Sequence, residues 1–122
     1  MSWKLDSDRP IYSQLLEYLL VNIVSGTYPQ GSKLPSVREL AAVAGVNPNT
    51  MQRAFIELER IGLIRTERTL GRFVTDDDEM IKKAREEMAG EQLEIFISKM
   101  EQLGFTKAEI IGFVKKKVEE QS

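Results

Sequence analysis

The pattern of hydrophobic and polar positions in the middle of the chain predicts two short helices separated by a tight turn. Ser36 is an N-cap residue, and Glu39 three positions later completes a capping box. Gly45 suits the left-handed residue that ends a helix. Asn47 is a second N-cap, and Pro48 takes the first helical position, where a missing N–H does no harm. Apolar residues then recur at helical spacing and predict one buried face: Met51, Ala54, Phe55, Leu58 and Ile61.

These two helices have the spacing of a helix-turn-helix. Small Ala41 and Gly45 allow the helices to approach closely, and Met51 and Ala54 fill the angle between them. The alternative is an ordinary two-helix hairpin of an all-α core. The capping box, the turn glycine and the Asn-Pro start agree with the helix-turn-helix, as does the hairpin pattern that follows.

A β-hairpin is predicted directly after the second of these helices. Residues 63–67 and 72–75 alternate between apolar and polar side chains, and the turn between them ends in Gly71. Such a hairpin forms the wing of a winged helix-turn-helix. Arg68 and Arg72 lie near its tip, where they are able to reach phosphates or a narrow minor groove. The alternative is a solvated hairpin with ordinary surface arginines.

The segment before this motif adds one long helix and one short strand. A wide apolar stripe predicts a helix from about Ile11 to Ser25, opened by Pro10. Residues 32–34 are a candidate short strand. Trp3 is an anchor that packs either under this helix or against a partner.

The segment from Asp77 onwards predicts a two-helix tail. The first helix runs from about Asp77 to Leu103, with Gly90 as a bend or break, and its initial carboxylates form a capping cluster or a cation site. Thr106 opens the last helix, with five apolar residues expected to face inward: Ile110, Ile111, Phe113, Val114 and Val118. Two such helices cannot cover their own apolar faces. We expect a second copy of the chain to cover them; the alternative is a tail folded back on its own domain. The expected domains are residues 1–76, which bind DNA, and residues 77–122, which dimerise.

The distribution of charge along the chain is more informative than the net charge. The net charge of the 122 residues is −2, but Lys33–Arg72 contains seven basic and four acidic residues, a balance of +3. Asp77–Ser122 contains eight basic and eleven acidic residues, a balance of −3. The positive segment is the one expected to face a nucleic acid.

Composition excludes several kinds of active site. The chain contains no histidine and no cysteine, so a Ser-His, Cys-His or zinc site cannot be built from it. We expect no enzyme activity, no cofactor and no metal. The beginning of the chain lacks the apolar region of a signal peptide, and no apolar run approaches a membrane span, so we expect a cytoplasmic protein.

Three sequence patterns resemble the GntR family of bacterial transcriptional regulators. They are P-I-Y-x-Q-L from Pro10 to Leu15, L-P-S-x-R-E-L-A from Leu34 to Ala41, and G-V-N-P-N-T-x-x-R-A-x-x-x-L-E-x-x-G-L-I from Gly45 to Ile64. The short tail resembles that of the small YtrA-type subfamily. This resemblance implies a winged helix-turn-helix and homodimeric repressors, often of transporter operons.

The resemblance also implies which residues contact DNA. Bases are expected near the residues Arg38, Asn49, Gln52 and Arg53, and phosphates near Ser36, Thr50 and Arg72. Asn47 and Pro48 belong to the start of the recognition helix, and Arg68 and Gly71 to the wing tip. The chain departs from the family pattern in this wing, where Thr69 replaces a second glycine and Leu70 a common basic residue.

Two other functions fit parts of the pattern. A winged helix used for protein interaction would show no DNA sequence preference, and the polar, cationic start of the recognition helix argues against it. An enzyme would need a fused catalytic domain, for which the tail leaves no room. A small-molecule effector between the tail helices is a hypothesis motivated by the tail's apolar surplus.

Overall fold

A computed structural model of the protein describes residues 3–122 and contains five helices and a two-stranded antiparallel sheet. One compact unit of the chain extends to Arg85, and the second is Glu86–Ser122. Within residues 3–122, no helix is both long and apolar enough to cross a membrane. In chain order the elements are α1 (Ile11–Val24), α2 (Val37–Ala44), α3 (Pro48–Arg60), β1 (Ile64–Glu67), β2 (Gly71–Val74), α4 (Asp78–Gln102) and α5 (Lys107–Gln121).

The helix-turn-helix is confirmed, and its local hydrogen bonds are the predicted ones. Ser36 Oγ accepts a hydrogen bond from Glu39 N at 3.1 Å, and Glu39 Oε1 accepts one from Ser36 N at 3.3 Å. Gly45 ends α2 with φ 71° and ψ 37°, in the left-handed region that a Cβ disfavours. Asn47 Oδ1 accepts from Asn49 N at 2.8 Å and begins α3. The turn is therefore specified by its own sequence.

The wing is also confirmed, and a short segment before α2 pairs with it. β1 and β2 are antiparallel, with Ile64 opposite Val74 and Glu67 opposite Gly71. Lys33 forms an isolated antiparallel bridge with Phe73, within the segment predicted as a short strand. Leu34 N donates to Arg72 O at 2.8 Å. This pairing attaches the wing to the residues that lead into α2.

The core of the first unit lies where α1, α2 and the hairpin meet α3. Phe55, Met51 and Leu58 on α3 are fully buried, as the apolar spacing predicted, whereas Ile61 is half-buried. Leu15 and Leu19 of α1 and Val74 of β2 are also fully buried. Full burial of a large apolar side chain stabilises the folded state by about 1.5–3 kcal/mol relative to leaving it exposed. The core thus fixes the outward face of α3.

The contacts of Trp3 and of Asp77 decide between the alternatives that the sequence left open for the first residues and for the acidic run. The Trp3 ring stacks on Tyr18 of α1, with ring centroids 3.7 Å apart, so Trp3 packs on the first helix. Asp77 Oδ1 accepts from Glu79 N at 3.1 Å and from Met80 N at 3.2 Å. The acidic run therefore caps α4, and residues 3–122 contain no cluster of carboxylates arranged for a metal ion.

The tail forms the two predicted helices, but its apolar residues are less buried than expected. α4 is continuous through Gly90, so the glycine does not break it. Ile110 is buried, whereas the other four apolar residues of α5 that were expected to face inward are exposed in the single chain: Ile111, Phe113, Val114 and Val118. Most of the apolar surface of α5 is therefore exposed in the single chain.

Candidate nucleic-acid interface

The first turns of α3 present a polar surface opposite the buried face. The fully buried Met51 and Phe55 turn toward the core and thereby direct the intervening side chains away from it. Pro48 occupies the first helical position, as predicted. The structure brings together at this end of α3 the predicted contact residues Asn47, Pro48, Asn49, Thr50, Gln52 and Arg53, of which Thr50 and Gln52 are half-buried and the others exposed.

Asn47 has a structural role within this surface. Its Oδ1 is used as the α3 cap, so only the amide NH₂ group remains to donate outward. Asn49 is exposed one step further on, and its side chain is not used for the cap. An amide of this kind matches the donor and acceptor pair on the edge of adenine. Asn49 is therefore better placed than Asn47 to read a base.

The start of α2 and the wing tip form a cleft of about 290 Å³. Ser36 at the N-cap of α2 lines one side, and Gly71 and Arg72 of β2 line the other. Gly71 has φ 113°, and a Cβ there would lie 3.0 Å from Lys33 Cε. Glycine therefore both makes the turn and leaves space for Lys33, a cleft residue that the sequence did not single out.

Arg72 is half-buried, lines this cleft and lies over an aromatic ring. Its Cζ lies 5.4 Å from the centroid of the Phe55 ring. Its Nε is buried and has no hydrogen-bond partner within residues 3–122. With Lys33 beside it, Arg72 gives the cleft two positive charges, although the Glu39 carboxylate also lines it. The lining of the cleft is therefore net positive.

The arginines predicted to contact DNA form no ion pair within residues 3–122. Among the ion pairs of residues 3–122, none uses Arg38, Arg53, Arg68 or Arg72. Arg38 on α2 and Arg68 in the hairpin turn are exposed. These side chains keep their charge available for a nucleic acid.

Two other arginines of the same region are used for structure instead. Arg60 Nε donates to Glu57 Oε1 at 2.7 Å at the end of α3. The hydrogen bond from Arg60 holds the pKa of the Glu57 carboxyl below its usual value, and the same bond raises the pKa of Arg60. Arg65 Nη1 donates to Val74 O at 3.1 Å and pairs with Asp76 at 3.3 Å at the base of the wing. Fewer arginines are therefore available to contact a nucleic acid than the count of basic residues suggests.

A contact between α1 and α3 was not foreseen from the sequence. The Arg53 guanidinium carbon lies 4.6 Å from the centroid of the Tyr12 ring, in cation–π geometry. The two residues are far apart in sequence, and no local pattern pairs them. Tyr12 is part of the first family-like motif, which in isolation reads only as the start of a helix.

The comparison with protein families decides what this surface belongs to. Residues 11–74 match the model of the bacterial regulatory proteins, gntR family. The chain belongs to the GntR family. It is also similar to the uncharacterized HTH-type transcriptional regulator YhcF of Bacillus subtilis, with 37% identity over 115 residues that cover 94% of this chain and 95% of YhcF. The HTH-type transcriptional repressor YtrA of B. subtilis is 42% identical over 71 residues, which are 58% of this chain and 55% of YtrA.

Solved structures agree with this GntR assignment. A GntR family transcriptional regulator from Listeria monocytogenes superposes with a TM-score of 0.86 and 46% identity, over 92% of this chain and 98% of that one. The AraR DNA-binding domain in complex with operator ORE1 superposes with a TM-score of 0.53 and 28% identity, over 62% of this chain and 94% of that one. The protein is thus a DNA-binding transcriptional regulator with a winged helix-turn-helix, not an enzyme.

Proposed function

We propose that this GntR-family chain is a homodimeric repressor that binds a palindromic operator in the cytoplasm, with a transporter operon as its target class. The observation that carries the proposal is the unneutralised basic and polar surface at the start of α3 and at the α2–wing cleft. The repressor role follows the name of YtrA, and the AraR domain was crystallised with an operator. The target class follows only from the resemblance to the YtrA-type subfamily.

The proposed DNA contacts divide into base contacts and phosphate contacts. We place α3 in the major groove, with Asn49, Gln52 and Arg53 at base edges. Arg38 of α2 completes the set of residues near bases. The phosphate contacts are those of Ser36, Thr50 and Arg72, and the turn of the wing, with Arg68, lies beside the neighbouring backbone. Arg72 favours this assignment, because it lines the cleft and forms no ion pair within residues 3–122.

The tail supports the proposed dimer by its uncovered apolar surface. Of the twelve large hydrophobic residues exposed in residues 3–122, eight lie in Glu86–Ser122: Leu93, Ile95, Phe96, Leu103, Ile111, Phe113, Val114 and Val118. A concentration of this kind marks an interaction surface rather than scattered surface residues. A two-fold partner would cover it and would place two recognition helices on two half-sites. We therefore assign residues 1–76 to DNA binding and residues 77–122 to dimerisation.

Sedimentation equilibrium tests the dimer with a matched pair of variants. Phe113→Ser removes an apolar side chain that is 43% exposed on α5, and Val43→Ser removes one that is 56% exposed on α2. We expect Phe113→Ser to weaken self-association at least about tenfold, since losing an interface aromatic costs more than 1.4 kcal/mol. Val43→Ser should associate as the wild type does. A monomeric wild type, or equal association of both variants, would contradict dimerisation through the tail.

An effector site is a further part of the proposal. Ile97 of α4 and three residues at the start of α5 line an apolar cavity of about 180 Å³, within the second unit. We propose that a small apolar molecule binds there and changes the spacing of the recognition helices. Thermal-shift screening should then find stabilising apolar ligands that also alter operator affinity. Stabilising ligands that leave operator affinity unchanged, or a screen without any, would count against regulation at this cavity.

A further inference from the structure

We propose that Tyr12 is a positioning residue for DNA recognition, which holds the Arg53 guanidinium at the angle required to meet a base. The inference rests on the proposed function, in which Arg53 reaches a base edge. Tyr12 itself is placed on α1, behind the recognition helix, and acts through Arg53.

The Arg53 guanidinium lies close to the Tyr12 ring. Arg53 Cζ lies 4.6 Å from the Tyr12 ring centroid, well within the ~6 Å range of cation–π attraction. Arg53 is exposed, and no ion pair within residues 3–122 holds its guanidinium. Contact with the Tyr12 ring therefore restricts the Arg53 side chain, which would otherwise move freely in solvent.

The Tyr12 ring is itself on a fixed support. Gln14, which is buried, donates from Nε2 to Asp6 O at 2.6 Å and to Arg9 O at 3.0 Å. Gln14 Oε1 accepts from Asp6 N at 2.6 Å. These bonds attach the preceding turn to the first turn of α1, and the neighbouring Leu15 is fully buried in the core. The first motif thus places a half-buried aromatic ring, packed against the core, beside α3.

An arginine on such a ring keeps its recognition chemistry. In a stacked pair of this kind the ring contacts the flat face of a guanidinium, whereas its N–H groups lie along the edge and are able to donate in pairs to guanine. Ordering the side chain before DNA arrives reduces the entropy lost on binding. Arg60, the other basic residue near Tyr12, is occupied by its hydrogen bond to Glu57 at 2.7 Å. The positioning effect should therefore concern Arg53 specifically.

A double-mutant cycle on the operator selected from random DNA tests the inference. Tyr12→Leu should weaken binding by about threefold to tenfold, the range expected for one cation–π contact, and should relax base preference at the position read by Arg53. Tyr12→Phe keeps the ring and should bind as the wild type does. In an Arg53→Ala background, Tyr12→Leu should cause no additional loss. Circular dichroism and the thermal midpoint report whether each variant is folded.

The outcomes separate the inference from the proposed function. An equal loss from Tyr12→Leu with and without Arg53 would overturn the positioning role, because the ring would then act only on the fold. Wild-type affinity of Arg53→Ala for the selected operator would overturn it as well, while leaving DNA binding intact. Failure of the wild type to select any sequence would overturn the proposed function, and the inference with it.

Discussion

The contribution of α3 to stability should come from its buried face. Substitutions of Leu58, on that face, and of Ile56, on the exposed face, test this. Leu58 is fully buried, whereas Ile56 is 53% exposed on the same helix. Leu58→Ala removes three carbon groups from the core, a transfer loss of about 2.4 kcal/mol at ~0.8 kcal/mol each. A cavity that collapses only in part adds about 1–2 kcal/mol. We therefore expect Leu58→Ala to lower the free energy of unfolding by about 3.5–4.5 kcal/mol.

Ile56→Ala is the matched control. Half of this side chain is already in water, and alanine is the better helix former, so the expected loss is under about 1 kcal/mol. Urea unfolding at one fixed protein concentration, followed by circular dichroism, measures both variants. A difference between the two losses smaller than about 1 kcal/mol would refute the assignment of the buried and exposed faces of α3.

Substitutions at three further positions, Gly45, Arg72 and Glu109, test the turn, the DNA contact of the wing and the cap of α5. Gly45→Ala places a Cβ in the left-handed region and should lower the free energy of unfolding in urea by about 1–2 kcal/mol, with a smaller loss for Gly45→Asn. Equal stability of the wild type and both variants would contradict the left-handed conformation of this turn. Arg72→Gln should lower the slope of log affinity against log salt by about 1, whereas Lys117→Gln in the tail should leave it unchanged. The hydrogen bonds from Thr106 lower the pKa of Glu109 below its ordinary value of 4.5. The stabilisation from the Glu109 carboxylate is therefore present above pH 4.5 and is lost as the pH falls through the lowered value, whereas the bond from Glu109 N to Thr106 Oγ1 does not titrate. Glu109→Gln keeps an acceptor without a charge, so its helix content should fall less on acidification, and identical pH profiles would refute the role of this carboxylate.

The parts of the fold that the sequence predicts well are those specified by neighbouring residues. Ser36 with Glu39, Thr106 with Glu109, and Gly45 each determine their own helix end, and the structure shows these ends as expected. The alternation on either side of Gly71 likewise specifies the hairpin within one residue. Local hydrogen bonding and backbone conformation are sufficient in all these cases.

The features that sequence reasoning missed depend on contacts between distant segments. The Tyr12–Arg53 contact requires the crossing of α1 over α3, and the part played by Lys33 in the cleft requires its bridge to Phe73. Helical spacing also identified the apolar positions of α5 without showing which side has a neighbour, so Ile111 and Val118 were expected inside and are exposed. Periodicity defines a face, but only tertiary or quaternary packing decides whether that face is covered.

Selection of bound fragments from random duplex DNA, followed by the salt dependence of the best sequence, tests the central claim most directly. We expect a two-fold symmetric site whose half-sites lie about one helical turn apart, bound with a steep dependence on salt. An enriched site without symmetry would contradict the dimeric repressor. No enriched sequence at all, with a shallow salt dependence, would contradict operator recognition by α3 and would favour a protein partner for the winged domain.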